Sequence, residues 1–119
     1  YAFLKTTIPN LFSSIFKEKF PEKVEALIEA SKAFSNDALQ QYYFAMMNRP
    51  DLTAVLNSSK VPVLFIIGTE DVAAPLNDVL QQTKLPECSY IHVLKHVGHM
   101  GMLEATDTVN KHLLQFINQ

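Results

Sequence analysis

Two residues of this chain have the types and surroundings to move a proton together. Asp71 closes the tetrapeptide Gly68-Thr69-Glu70-Asp71, directly after an apolar run at 61–67. His99 follows Gly98, a few positions after a second strand-like run at 89–94. A carboxylate that holds one ring nitrogen of an imidazole leaves the other free to take a proton from a nucleophile. It also stabilises the imidazolium that forms. The pair would be two-thirds of a nucleophile–histidine–acid relay. A plainer reading stands beside it: Asp71 caps the turn that follows, and His99 is an ordinary loop residue.

No residue of the chain completes the relay convincingly. Ser58 and Ser59 lie in a polar link without a glycine elbow, Ser13, Ser14, Ser31 and Ser35 lie in or beside helices, and Ser89 begins a strand. Cys88 stands at the far end of the second strand from His99, and six extended residues span about 20 Å. That is too far for proton transfer. His92, His96 and His99, with Glu70 or Asp71, would align as metal ligands on a helix. On a strand followed by a glycine-containing loop they separate, leaving too few ligands for a closed site. Neither a metal nor a cofactor is expected. His112 is expected to be solvated on the last helix.

Positioning the pair falls to the elements around it. Residues 61–67 are nearly all apolar and β-branched, without alternation, which fits a parallel strand buried on both faces. Gly68 ends it and permits the turn that leaves the strand. A crossover helix at 75–82 carries Leu76, Val79 and Leu80, Leu85-Pro86 breaks it, and the second strand follows. Parallel strands joined in this way have their carboxyl ends on one side, so Asp71 and His99 arrive at the same rim. A final helix at 104–117 presents Val109, Leu113, Phe116 and Ile117 inward.

The first 58 residues carry helix signals only. One helix begins at Pro9 with Phe12, Ile15, Phe16 and Phe20 on its apolar side. Pro21 opens a second with Val24, Leu27, Ile28, Ser31 and Phe34. Asn36 or Asp37 caps a third that Pro50 stops, and a short helix or turn fills 51–59. The layout is a helical block followed by one βαβα unit.

Composition sets the outer bounds. A chain of 119 residues is at most one domain, and 48% apolar with 18% charged residues is an ordinary globular balance. A net charge of −2 offers no basic footprint, so no nucleic-acid partner is expected. No apolar run approaches the roughly 18–20 residues of a membrane span. The single cysteine mildly favours a reducing compartment such as the cytoplasm. The first residue is Tyr1 and not methionine, so the chain is expected to be a piece of a longer protein.

The segments VPVLFIIGTEDVAAP and HVGHMGMLEATDTVNKHLLQFI resemble the carboxyl-terminal part of the α/β-hydrolase fold, in order and spacing, over residues 61–118. In that family a core strand ends in a G-x-x-D acid with a proline soon after. The last strand leads to a G-H histidine, and a closing helix follows, often after E-x-P. The preceding AMMNRPDLTAVLNSSKVPVL, with Arg49-Pro50-Asp51, resembles the family's return from its helical cap to the core. The resemblance implies an α/β fold class with residues 1–58 as cap and 59–119 as the end of the core. It makes Asp71 the acid and His99 the base of an ester-hydrolysing triad, with no cofactor and a small apolar, ester-like substrate. Tyr43, Met46 and Met47 from the cap, and Met100 and Met102 beside His99, are the expected substrate contacts.

Two departures qualify the match. Thr106 replaces the frequent proline after Glu104, and the nucleophile elbow G-x-S-x-G is absent, as is the loop that completes the oxyanion hole. In the family order the nucleophile precedes the cap, hence Tyr1, and the chain alone is expected to be inactive. The alternatives are an aspartate nucleophile, which would mean haloalkane or epoxide chemistry, and a non-catalytic ligand-binding protein on the same fold. Either way the strand at 61–67 needs cover. The expectation is self-association, or pairing with a nucleophile-bearing half through the open strand edge.

Overall fold

The structure, a computed structural model, describes all residues from Tyr1 to Gln119. Its first half is helical. Helix α1 (Ala2–Thr7) runs into a tight 3₁₀ turn, Ile8–Leu11, with Pro9 near its start. The sequence suggests one continuous helix from Pro9 to Phe20, but the chain extends at Phe12 and Ser13 before α2 (Ser14–Lys19) begins. Ser13 causes the break: its hydroxyl accepts the Phe16 N–H at 3.2 Å and caps α2. Phe12 is thereby freed to turn inward. Helix α3 (Pro21–Ala30) starts on its proline as expected, and a 3₁₀ turn, Ser31–Ala33, ends it.

Ile8, Phe12, Phe16, Val24 and Ile28 form the core of this block, with Leu4, Leu11, Leu27 and Met100 packed around them. The Phe12 and Phe16 rings stack at 5.3 Å. Burying each such side chain contributes about 1.5–3 kcal/mol. Helix α4 (Asn36–Asn48) is capped by Ser35, one residue earlier than the expected Asn36 or Asp37, through a bond from Ala38 N–H at 3.1 Å. Helix α5 (Thr53–Asn57) starts where the Asp51 carboxylate accepts the Thr53 N–H at 2.9 Å and the Thr53 hydroxyl. Those two bonds hold the Asp51 carboxyl below its ordinary range, the hydroxyl contributing most.

The second half is the βαβ unit. Strand β1 (Val63–Gly68) pairs in parallel with β2 (Ser89–Leu94), in register from Val63 with Ser89 to Gly68 with Leu94. Helix α6 (Leu76–Gln82) connects them and packs on β1. The expected burial of β1 on both faces is not realised within this chain. Ile67 and Gly68 are buried, while Val63 through Ile66 are half-buried, because β1 has a neighbour on one edge alone.

The last helix is two pieces, α7 (Gly101–Glu104) and α8 (Thr106–Ile117), divided at Ala105. Three side chains of α8 meet the Tyr90, His92 and Leu94 face of β2. Phe116 stands edge-on to Tyr90, His112 stacks on His92, and Val109 and Leu94 converge beside Gly101. The inward stripe is therefore Val109, His112 and Phe116. Leu113 and Ile117, expected inside, are exposed, and His112 is half-buried instead of solvated.

Candidate active site

Asp71 reaches the rim because β1 ends at Gly68 and the chain turns at once, with Asp71 N–H bonded to Gly68 O at 3.3 Å. One carboxylate oxygen, Oδ1, accepts the N–H groups of Ala73 and Ala74 at 2.9 and 2.8 Å. This is the turn-capping role of the plainer reading, and it is met. The other oxygen, Oδ2, lies 2.9 Å from His99 Nδ1. The two sets of bonds coexist: the turn bonds fix the carboxylate, and its second oxygen is aimed at the histidine. The Asp71 side chain is 10% exposed and that of His99 is 42% exposed.

A carboxylate can only accept, so Nδ1 donates its proton and the neutral ring presents Nε2 as a lone-pair acceptor. Nothing in the chain bonds to that Nε2 among the hydrogen bonds present. The dyad can hold an imidazole in one tautomer and one orientation, with a basic nitrogen directed outward.

The loop that carries His99 is secured from three directions. Thr69 N–H donates to Leu94 O at 3.0 Å and Glu70 N–H to Val97 O at 2.9 Å, so the two strand ends stay together beyond the sheet. His96 N–H donates to Thr69 Oγ1 at 2.9 Å, and His96 itself takes a positive φ of 60° to make the turn. The helical block supplies the rest. Met100 N–H donates to Leu11 O at 3.1 Å, and Glu104 bonds Gly98 N–H and Ser13 together. The sequence marks Glu104 through the E-x-P position and does not reveal its partner Ser13, which lies 91 positions away.

A cleft of about 450 Å³ opens beside Asp71, lined by Asn10, Ser13, Ser14, Lys17, Thr69 and Glu70 among others. The Glu70 Oε2 atom is buried there without a hydrogen-bond partner. The expected substrate contacts fall in different places. Met100 packs on the helical core beside His99, and Met102 is exposed. Tyr43 and Met47 line one depression with Tyr1 and Phe3, while Met46 lines another with Arg49 and Leu52. Neither depression includes Asp71 or His99, so the structure does not bring these three residues to the dyad. Cys88 is exposed at the start of β2, and no group of three or more His, Cys, Asp or Glu side chains converges to hold a metal ion. No helix is long and apolar enough to cross a membrane.

No protein-family model and no curated protein sequence matches the chain. Solved structures do. An esterase from Thermogutta terrifontis, determined with malate bound, superposes with a TM-score of 0.91 at 20% identity, over 98% of this chain and 43% of its own. An enol-lactonase from Burkholderia xenovorans gives 0.84 at 21% identity, over 99% of this chain and 45% of its own. An esterase from Exiguobacterium antarcticum gives 0.83 at 19% identity, over 99% and 42%. The chain thus spans less than half the length of each of these structures. At such identities the likeness is one of architecture, and on it this chain has the fold of the carboxyl-terminal portion of an α/β-hydrolase.

Proposed function

We propose that this chain supplies the base and the acid of a serine-type α/β-hydrolase that cleaves an ester or a related carbonyl compound. The nucleophile comes from residues preceding Tyr1, and residues 1–58 form the cap over the site. The observation that carries the reading is the 2.9 Å bond between His99 Nδ1 and Asp71 Oδ2, which leaves Nε2 unengaged. In the reaction Nε2 takes the proton of a serine hydroxyl as its oxygen attacks the carbonyl carbon. Asp71 stabilises the imidazolium, and Nε2–H then protonates the departing alkoxide. Water repeats the sequence on the acyl-enzyme and releases the acid. The substrate is small and apolar, and of the expected contacts Met100 and Met102, which closely follow His99 in the chain, are the ones placed to touch it. Esterases and a lactonase among the similar structures support this substrate class.

The test is to express the chain with the natural segment that precedes it and assay short-chain p-nitrophenyl esters. His99→Ala and Asp71→Asn should each lower kcat by about 10⁴-fold or more. The 119-residue chain by itself should be inactive. Hydrolysis by that chain, abolished in His99→Ala, would place the nucleophile inside it and overturn the proposal. So would full activity of the longer protein without His99. An aspartate at the nucleophile position would redirect the reading to haloalkane or epoxide hydrolysis. A residue there that cannot attack would point to a ligand-binding protein.

A further inference from the structure

His99 stands between two anchored neighbours. Gly98 N–H donates to Glu104 Oε2 at 2.8 Å, and Met100 N–H donates to Leu11 O at 3.1 Å. The other carboxylate oxygen, Glu104 Oε1, accepts from Ser13 N–H at 3.1 Å and from the Ser13 hydroxyl at 2.5 Å. Ser13 is 2% exposed and its hydroxyl also accepts the Phe16 N–H, so the far end of the bridge is set into the helical core. The loop is pressed close as well. A Cβ on Gly98 would lie 2.9 Å from backbone atoms of Leu11, Phe12 and Ser13. One carboxylate therefore takes three donors from two segments and joins the residue before His99 to the helical block.

We propose that Glu104 is a positioning residue for the dyad: through Gly98 and Ser13 it holds the His99 loop at the place where the imidazole meets Asp71. The bonds from Ala73 and Ala74 fix the acid independently of the helical block. The histidine's loop is tied to the end of β1 only as far as Val97, through His96–Thr69 and Glu70–Val97, and from Gly98 onward its hydrogen-bonded anchors are Glu104 and Leu11. Removing the Glu104 carboxylate leaves buried donors at Gly98 and Ser13 without an acceptor, and the loop must shift to hydrate them. The Met100–Leu11 bond then remains as the single tether to that segment. His99 swings relative to Asp71, and Nδ1 loses its fixed acceptor.

The inference rests on the hydrolase reading only for the use made of the dyad, and its test reads the imidazole directly. The ¹⁵N shifts of the His99 ring, measured in the neutral form, report which nitrogen carries the proton. In the parent chain Nδ1 should be protonated and Nε2 pyridine-like. Asp71→Ala supplies the reference for a released ring, in which both shifts move toward tautomer averages. Glu104→Ala should move His99 through most of that same change, and Ser13→Ala through a smaller part of it. Where Glu104→Ala does not fold, Glu104→Gln serves, since the amide NH2 that replaces one carboxylate oxygen cannot accept the backbone N–H which that oxygen holds. A folded Glu104 variant of lowered Tm whose His99 shifts match the parent would make Glu104 a structural brace alone and overturn the proposal. A fixed tautomer in a longer protein without hydrolytic activity would instead count against the hydrolase reading and leave the role of Glu104 standing.

Discussion

Gly68 shows how a residue correctly picked from the sequence can matter for a different physical reason. The sequence makes it the glycine that permits a sharp turn, yet no glycine of this chain has a positive φ. What Gly68 provides is absence of volume: a Cβ there would lie 2.3 Å from Val97 O and 2.5 Å from Gly98 O. Both are backbone atoms of the loop that delivers His99, and neither can step aside without moving it. Gly68→Ala should therefore cost about 1–3 kcal/mol, the usual range for forcing atoms into a filled site. The denaturant midpoint should fall at unchanged m-value, and the His99 ring signals should shift. A variant with parental midpoint and parental His99 signals would show that the loop has slack the distances do not suggest. Asp71 and His99 were legible as a pair because the crossover rule brings both strand ends to one rim. Ser13 was not, because a contact across 91 positions leaves no local pattern.

At the scale of elements, the order and type of the segments were legible, and the errors lie at helix breaks and helix faces. Strand β2 occupies 89–94 as expected, since Leu85-Pro86 and Leu94 bound it on both sides. The closing helix was misjudged at one position. A stripe through Val109 and Phe116 can be completed by either His112 or Leu113, and hydropathy favours the leucine. The structure uses His112, whose flat ring stacks on His92 with centroids 3.6 Å apart and planes 14° apart. His112 Nδ1 is buried without a partner. Burial, and after it the nearby His112, lower the His92 pKa from its ordinary 6.5. The consequence for stability has a definite sign. A histidine with a depressed folded pKa binds fewer protons folded than unfolded, so its contribution is complete above about pH 6.5 and declines as pH falls below that value. The denaturant midpoint should drop between about pH 7.5 and about pH 5. His92→Phe, which keeps an aromatic partner for His112, should flatten that drop. An equal drop in the variant would assign the acid sensitivity to groups other than His92.

The whole molecule leaves a surface that a solitary chain does not ordinarily carry. Of 119 residues, 14 are buried, and the buried apolar ones lie mainly in the helical block and near the site. Helix α8 covers the Tyr90, His92 and Leu94 face of β2. On the opposite face Ile91 and Val93 are 44% and 46% exposed. The sheet has two strands, so each has one edge with unpaired backbone groups. Together an apolar sheet face and two open edges form a template for another chain, and natural sheets avoid leaving such edges free. The structures of similar fold are more than twice as long as this chain, which spans 43% of the first. On the exposed face and the open edges alone we expect copies of this chain to pair with one another. Sedimentation velocity over a concentration series should show reversible association. The double substitution Ile91→Lys, Val93→Lys places like charges on the open face, away from α8, and should shift the distribution toward monomer. If the proposed upstream half exists, adding it in trans should compete with self-association, because both would use the same face and the same β1 edge. A monodisperse monomer at every concentration, with no change on lysine substitution, would mean that the exposed strands are tolerated in water as they stand.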